Sequence, residues 1–212
     1  MDVSHAAKVR RSIRKYLDIP VEMEKIGRML HAAIEAPSAG NVQPWKFVLV
    51  LDENTRKKIA EGCLQQHWMN TAPVHVIVVA EPGKSKRLYG ERGEKQYAIM
   101  DCAAAIENML LVATEEGLGT CWVGAYEDEL LHRELGIPEN RKILGVITAG
   151  YADESPPPPL RYTLENVIFI ESWGSRIKDP AAYMGYTSHK VQALIAKGKL
   201  LLEKVQEKIQ KV

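Results

Sequence analysis

The stretch from Tyr97 to Tyr126, YAIMDCAAAIENMLLVATEEGLGTCWVGAY, decides how the rest of this chain is read. From Ala98 to Glu116 it is apolar on nearly every side, the pattern of a central helix covered by protein over most of its surface. Asp101, Glu107 and Asn108 fall inside that run, and carboxylates there favour a buried core helix over a membrane span. The following residues, Gly117–Gly124, lead into an extended segment, with Thr120–Tyr126 a short strand. They follow a helix rather than open one, which argues against a dinucleotide-binding glycine fingerprint. A glycine at the end of such a strand can present an unobstructed N–H to a flat ligand.

Outward from this unit, Ile26, Met29, Leu30, Ala33 and Ile34 share one face of a helix predicted over Val21–Ala36, which Pro37 stops. Phe47–Leu51, Val74–Ala80 and Ile143–Ala149 are Val- and Ile-rich runs bounded by turn residues and read as strands. Val167–Glu171 is a further strand candidate. Before it, Glu154–Leu160 holds four consecutive prolines, an extended and stiff strut. Pro82–Gln96, glycine-bearing and charged, reads as a long polar loop whose Tyr89 and Arg92, with Tyr97, form a candidate substrate-facing rim. The C-terminus, His189–Val212, spaces its apolar residues as an amphipathic helix with a lysine-rich outer face, suited to docking on its own protein or a second subunit.

Composition removes several classes of function. Hydrophobic residues make up 46% of 212, enough for a globular core. Lys plus Arg number 28 against 27 Asp plus Glu, so no general attraction to nucleic acid or acidic membranes is expected. The N-terminal residues carry no apolar signal region, and a cytoplasmic protein without a membrane span is expected. Cys63, Cys102 and Cys121 have no metal-ligand spacing and read as reduced, buried thiols. The histidines pair with no plausible Ser or Cys nucleophile, so a hydrolase triad is not supported.

Two short constellations remain. Arg10-Arg11-Ser12-Ile13-Arg14 concentrates three guanidiniums and a hydroxyl, either a compact anion receptor or a solvated charged face. Ala36–Trp45, APSAGNVQPW, offers small polar side chains and accessible backbone donors. Alone it reads as an ordinary helix-to-strand connection.

RRSIRKY, PSAGNVQPWKF, YAIMDCAAAIENMLLVATEEGLGTCWVGAY and LGVITAGYADE, in this order, change that reading. Over about Ala7–Glu171 the chain closely resembles the nitroreductase family of FMN-dependent oxidoreductases. The resemblance implies an α+β fold with a mixed central sheet wrapped by helices. It also implies a strand-exchanged homodimer with FMN at the subunit interface, the C-terminal strand crossing to the partner. Residues 1–172 would form the FMN-binding domain and 173–212 a helical extension.

Carried over by motif, Arg10, Arg11 and Ser12 would hold the phosphate and ribityl chain, and Arg161 would be a late phosphate contact. Arg14 would sit at the N1/C2 carbonyl edge of the flavin ring. Val123 and Gly124 would lie near N5. Pro37, Ser38, Ala39 and Asn41 would come from the other subunit. The implied activity is hydride transfer from NADH or NADPH, through FMN, to a flat small-molecule acceptor such as a nitroaromatic, a quinone or a flavin. No side chain need act as a catalytic acid. The alternatives are a reductive dehalogenase within the family, or a flavin-binding module without catalysis.

Overall fold

A computed structural model of the chain describes residues 1–177. They fall into two compact units, Met1–Pro158 and one beginning at Pro159. The first contains four strands, β1 (Trp45–Val50), β2 (Val74–Ala80), β3 (Gly119–Val123) and β4 (Lys142–Gly150). It also contains helices α1 (Val3–Val9), α2 (Met23–Ile34), α3 (Glu53–Gly62), α4 (Pro82–Arg92), α5 (Ala98–Glu115) and α6 (Asp128–Leu135). The sheet order is β1-β2-β4-β3, with each neighbouring pair antiparallel. The parallel component enters beside β3, where Ser12 bridges Thr120 in parallel and Tyr16 bridges Ala152 in antiparallel sense.

β2 is buried along its length, and its alternating side chains divide two cores. Val74, Val76, Val78 and Ala80 pack with Ile26, Met29 and Ala33 of α2 and with α5. Ile77 and Val79 pack on the opposite face with Ile59 and Ala60 of α3 and Leu131 of α6. Strands hydrophobic on both faces are what a sheet between two helical layers requires. By length and composition the helical run Pro82–Glu115 could cross a membrane. Its stripe through Cys102, Ala105, Ile106, Met109 and Ala113 is buried against the sheet, as expected of a core helix.

The predicted elements of the core are present, β2 with its predicted bounds and the others with shifted ends. α2 is shorter than Val21–Ala36, because the chain leaves the helix at Glu35 before Pro37, and Ile34 at its end is exposed. β1 begins two residues before the predicted Phe47, since Trp45 pairs with Ala80 and Lys46 with Val79. β3 stops at Val123, short of Tyr126.

Two expectations are corrected. Pro82–Gln96 is not a loop: it is α4 followed by a π-helical turn, Gly93–Tyr97, running into α5. Pro82 occupies the first turn of α4, where its missing N–H costs nothing. Tyr89 and Tyr97 then stack edge-to-face at 5.2 Å, and Lys86 pairs with Glu94. Val167–Glu171 is not a strand in the second unit. Val167 closes a short helix, α7 (Leu164–Val167), stabilised where Asn166 Nδ2 donates to Thr163 Oγ1 and the Ile168 N–H donates to Leu164 O. Beyond it the chain turns locally: the Ile170 N–H donates to Ser175 O at 2.9 Å, and Glu171 takes a positive φ of 62° that no strand residue adopts. The helix predicted over His189–Val212 lies outside the described residues.

Candidate functional site

The arginine-rich segment is an extended chain laid along β3. Asp2 caps α1 by accepting the His5 N–H, and the helix ends as the chain turns at Arg10. Beyond it the Ile13 N–H donates to Thr120 O at 2.9 Å and the Leu17 N–H to Tyr151 O at 2.8 Å. Extended backbone sends alternate side chains to opposite sides. Ile13 and Tyr16 are buried, while Ser12 is half-buried and Arg14 exposed. The close approach needs Gly119: a Cβ there would sit 2.8 Å from Ile13 Cγ1. The Tyr16 hydroxyl donates to Ile13 O and pairs with Thr148 Oγ1, both at 2.7 Å, which pins the segment to β4.

Arg10 and Arg11 line an open cleft of about 240 Å³ together with Ile13, Gly119, Glu154 and Ser155. Arg11 Nη1 donates to the carbonyls of Lys8 and Arg10, while its Nε is buried without a hydrogen-bond partner among the described residues. Glu154 accepts the Arg14 N–H. The nearby Cys121 thiol is pushed up by burial and drawn back by Arg14, by a hydrogen bond with Ser12 and by Arg10. Ser12, Arg10 and Arg14 thus share one small region at the sheet edge.

The second predicted group is built on a tight turn. Ala39–Asn41 is a single 3-10 turn with Gly40 and Asn41 at positive φ (56° each), the left-handed region that Gly and Asn tolerate. Ser38 Oγ accepts the Gln43 N–H at 3.1 Å, and Gln43 Nε2 donates to Asn41 Oδ1 at 3.0 Å. The turn is tied to α5 through Asp101, whose Oδ1 accepts the Ala39 N–H at 3.1 Å. Burial raises the Asp101 carboxyl against the pull of that bond, and its Oδ2 has no hydrogen-bond partner among the described residues. A Cβ on Gly40 would fall 2.2 Å from the Tyr89 hydroxyl, so α4 rests directly on this turn.

The fold brings some predicted residues together and separates others. Val123 is buried at the end of β3, and Gly124 is exposed just beyond it with open space on its Cβ side. Val123 ends the strand that Ser12 bridges at Thr120, and Gly124 follows it. Pro37, Ser38, Ala39 and Asn41 precede β1, at the other edge of the sheet. Three inter-strand spacings separate β1 from β3, roughly 14 Å across the sheet, and the arginine segment lies beyond β3. Arg161 belongs to the second unit, where it is exposed.

A model of the nitroreductase family matches residues 7–67 and 60–151. The chain belongs to the nitroreductase family. An inferred NADH dehydrogenase/NAD(P)H nitroreductase of Archaeoglobus fulgidus is 40% identical over 146 residues, 67% of this chain and 80% of that protein. Among solved structures, an inferred NADH oxidase of Clostridium acetobutylicum is similar at 34% identity and TM-score 0.69, over 79% of this chain and 99% of that one. An FMN-dependent nitroreductase of Clostridium difficile R20291 is similar at 28% identity and TM-score 0.64, over 76% and 92%.

In this nitroreductase-family chain, three residues of the site region escaped the sequence reading. Glu154 meets Arg14 across a separation of 140 residues, and Asp101 meets Ala39 across 62. Trp68 lies 5.9 Å below the Arg14 guanidinium. Only Asp101 carried a usable signal, a carboxylate in an otherwise apolar helix. The three thiols are free and buried as expected. His75 is fully buried, with Nε2 bonded to Met69 O, so it serves the core. Among the described residues no group of His, Cys, Asp and Glu could hold a metal ion.

Proposed function

We propose that the chain is an NAD(P)H-dependent, FMN-bearing oxidoreductase working as a homodimer, which passes hydride to a flat electrophile such as a nitroaromatic, a quinone or a free flavin. Its relatives carry names of NAD(P)H nitroreductase, NADH oxidase and FMN-dependent nitroreductase. The residues present fit such a cofactor. An anion the size of a phosphate suits the open cleft beside Arg10 and Arg11, where the Arg11 Nε is buried without a hydrogen-bond partner among the described residues. When bound, FMN supplies the hydride chemistry at N5.

The chain's own residues would bind and orient. Arg10, Arg11 and Ser12, with Arg161, would hold the phosphate and ribityl chain. Arg14 would place a fixed positive charge at the pyrimidine edge, where preorganised charge is most effective. Val123 and the open Gly124 would leave room along the ring. Pro37, Ser38, Ala39 and Asn41 would close the site from the other subunit.

One observation supports the shared site most directly: the two groups stand on opposite edges of one sheet. Complementation tests it. An Arg10→Ala/Arg11→Ala chain mixed with a Ser38→Ala/Asn41→Ala chain forms heterodimers with one intact site, and activity returns although each variant alone is nearly inactive. No recovery in heterodimers of demonstrated composition would refute the shared site. The purified protein should be yellow, and once reduced by NADH or NADPH it should reoxidise rapidly with menadione or nitrofurazone. A protein that binds FMN but is not reoxidised would be a flavin-binding module rather than an enzyme.

A further inference from the structure

Arg14 is an exposed arginine with no carboxylate partner for its guanidinium among the described residues, yet two contacts fix its course. Its backbone N–H donates to Glu154, and its guanidinium carbon lies 5.9 Å from the centre of the Trp68 ring. That distance falls within the range of a cation–π attraction. Trp68 is itself held from several sides. It packs against Ile13, Tyr16 and Ala72, half-buried, and its carbonyl accepts the Thr71 hydroxyl at 2.8 Å.

The turn that carries it, His67–Thr71, is bonded to two neighbouring elements. His75 of β2, with Nε2 at 3.0 Å, bonds the Met69 carbonyl, and Arg56 of α3 donates to the carbonyls of Asn70 and Ala72. Burial holds His75 in its neutral form. Its Nε2 therefore carries the proton that Met69 O accepts. A buried histidine and a triply donating arginine, also bonded to Leu51 O, immobilise a short turn from which one indole meets one guanidinium. Filling the space beside Ile13 and Tyr16 would not require a ring facing a positive charge.

We infer that Trp68 is a positioning residue for Arg14, holding the guanidinium where it meets the cofactor's pyrimidine edge. The inference rests on the function proposed above. The indole narrows the conformations of a long, flexible side chain before the ligand arrives. A charge so fixed favours the reduced, more negative form of the ligand over the oxidised form.

The test uses the FMN-loaded protein and reads the midpoint potential of bound FMN together with FMN affinity. Arg14→Ala should lower the potential. Trp68→Leu should lower it by part of that shift, equivalent to a roughly two- to fivefold loss of preference for reduced FMN, the worth of an exposed cation–π contact. Trp68→Phe should stay near wild type. In an Arg14→Ala background, Trp68→Leu should add nothing.

Should Trp68→Leu fail to fold, fluorinated tryptophan weakens the ring's negative face without changing its shape. The chain has four tryptophans, so the same labelling of Trp68→Phe supplies the baseline. A potential that moves equally with and without Arg14, or one indifferent to both leucine and fluorine, overturns the inference while leaving FMN binding intact. Failure of the wild-type chain to bind FMN overturns the proposed function and the inference with it.

Discussion

Replacing Tyr16 with Phe removes one oxygen from the joint between the arginine segment and the sheet. Tyr16 is 5% exposed, and its hydroxyl donates to Ile13 O at 2.7 Å. With that proton committed, the 2.7 Å pair with Thr148 has the threonine as donor. After the substitution, Thr148 can turn only to Cys121 O at 3.4 Å, a long bond, and the Ile13 carbonyl loses its donor. One ordinary hydrogen bond contributes about 0.5–1.5 kcal/mol, and a buried polar group left unpaired costs about 1–3 kcal/mol. The expected loss is therefore about 2–4 kcal/mol, a large part of the ~5–15 kcal/mol that holds a domain together.

Urea denaturation checks this directly. With a slope of about 2 kcal/mol/M, the midpoint should fall by about 1–2 M. Variant and wild type must be compared at one protein concentration without added FMN, since ligand and subunit association both shift apparent stability. A midpoint unchanged within about 0.3 M, with the same slope, would refute the view that this hydroxyl ties the arginine strand to β4.

Gly40→Ala should destabilise by about 1–3 kcal/mol, through left-handed backbone strain and overlap with the Tyr89 hydroxyl, and Tyr89→Phe in the same chain should restore part of the loss; a neutral Gly40→Ala on thermal melting would disprove the contact. His75 is pushed down to about 4 by burial, so between roughly pH 6.5 and 4 the unfolded state binds the extra proton. Its contribution is complete above the unfolded value and falls by roughly 3 kcal/mol as pH drops to 4, a slope that His75→Gln should remove from the pH–stability curve. The thiols of Cys63 and Cys102 are pushed up to about 12 and are fully buried, and Cys121 is also buried and raised. A disulfide reagent at pH 8 should therefore modify none of these thiols until urea is added; rapid native labelling would contradict their burial.

Much of the fold was legible because its signals are local. β2 and β4 are Val- and Ile-rich runs, and α5 is an apolar run too long for a strand. Pro82–Arg92 was illegible for the opposite reason. Its glycines and charges read as a loop, and the contacts that make it a helix, Tyr89 on Gly40 and Lys86 with Glu94, join residues the local pattern does not associate. Val167–Glu171 has strand-like composition, but composition supplies no partner for its backbone groups, and a one-turn helix satisfies some of them locally.

The sequence by itself determined which residue types could meet an anionic, flat ligand: clustered guanidiniums at Arg10–Arg14, small polar residues at Ser38–Asn41, and a glycine ending a strand at Gly124. These are properties of side chains and of short backbone, carried by neighbouring residues. Tertiary structure alone decided that the arginines lie against β3 and the polar turn at the opposite edge. It also decided that Glu154, Trp68 and Asp101 hold these groups in place. Distances across a sheet depend on strand order, and no run of neighbouring residues encodes strand order.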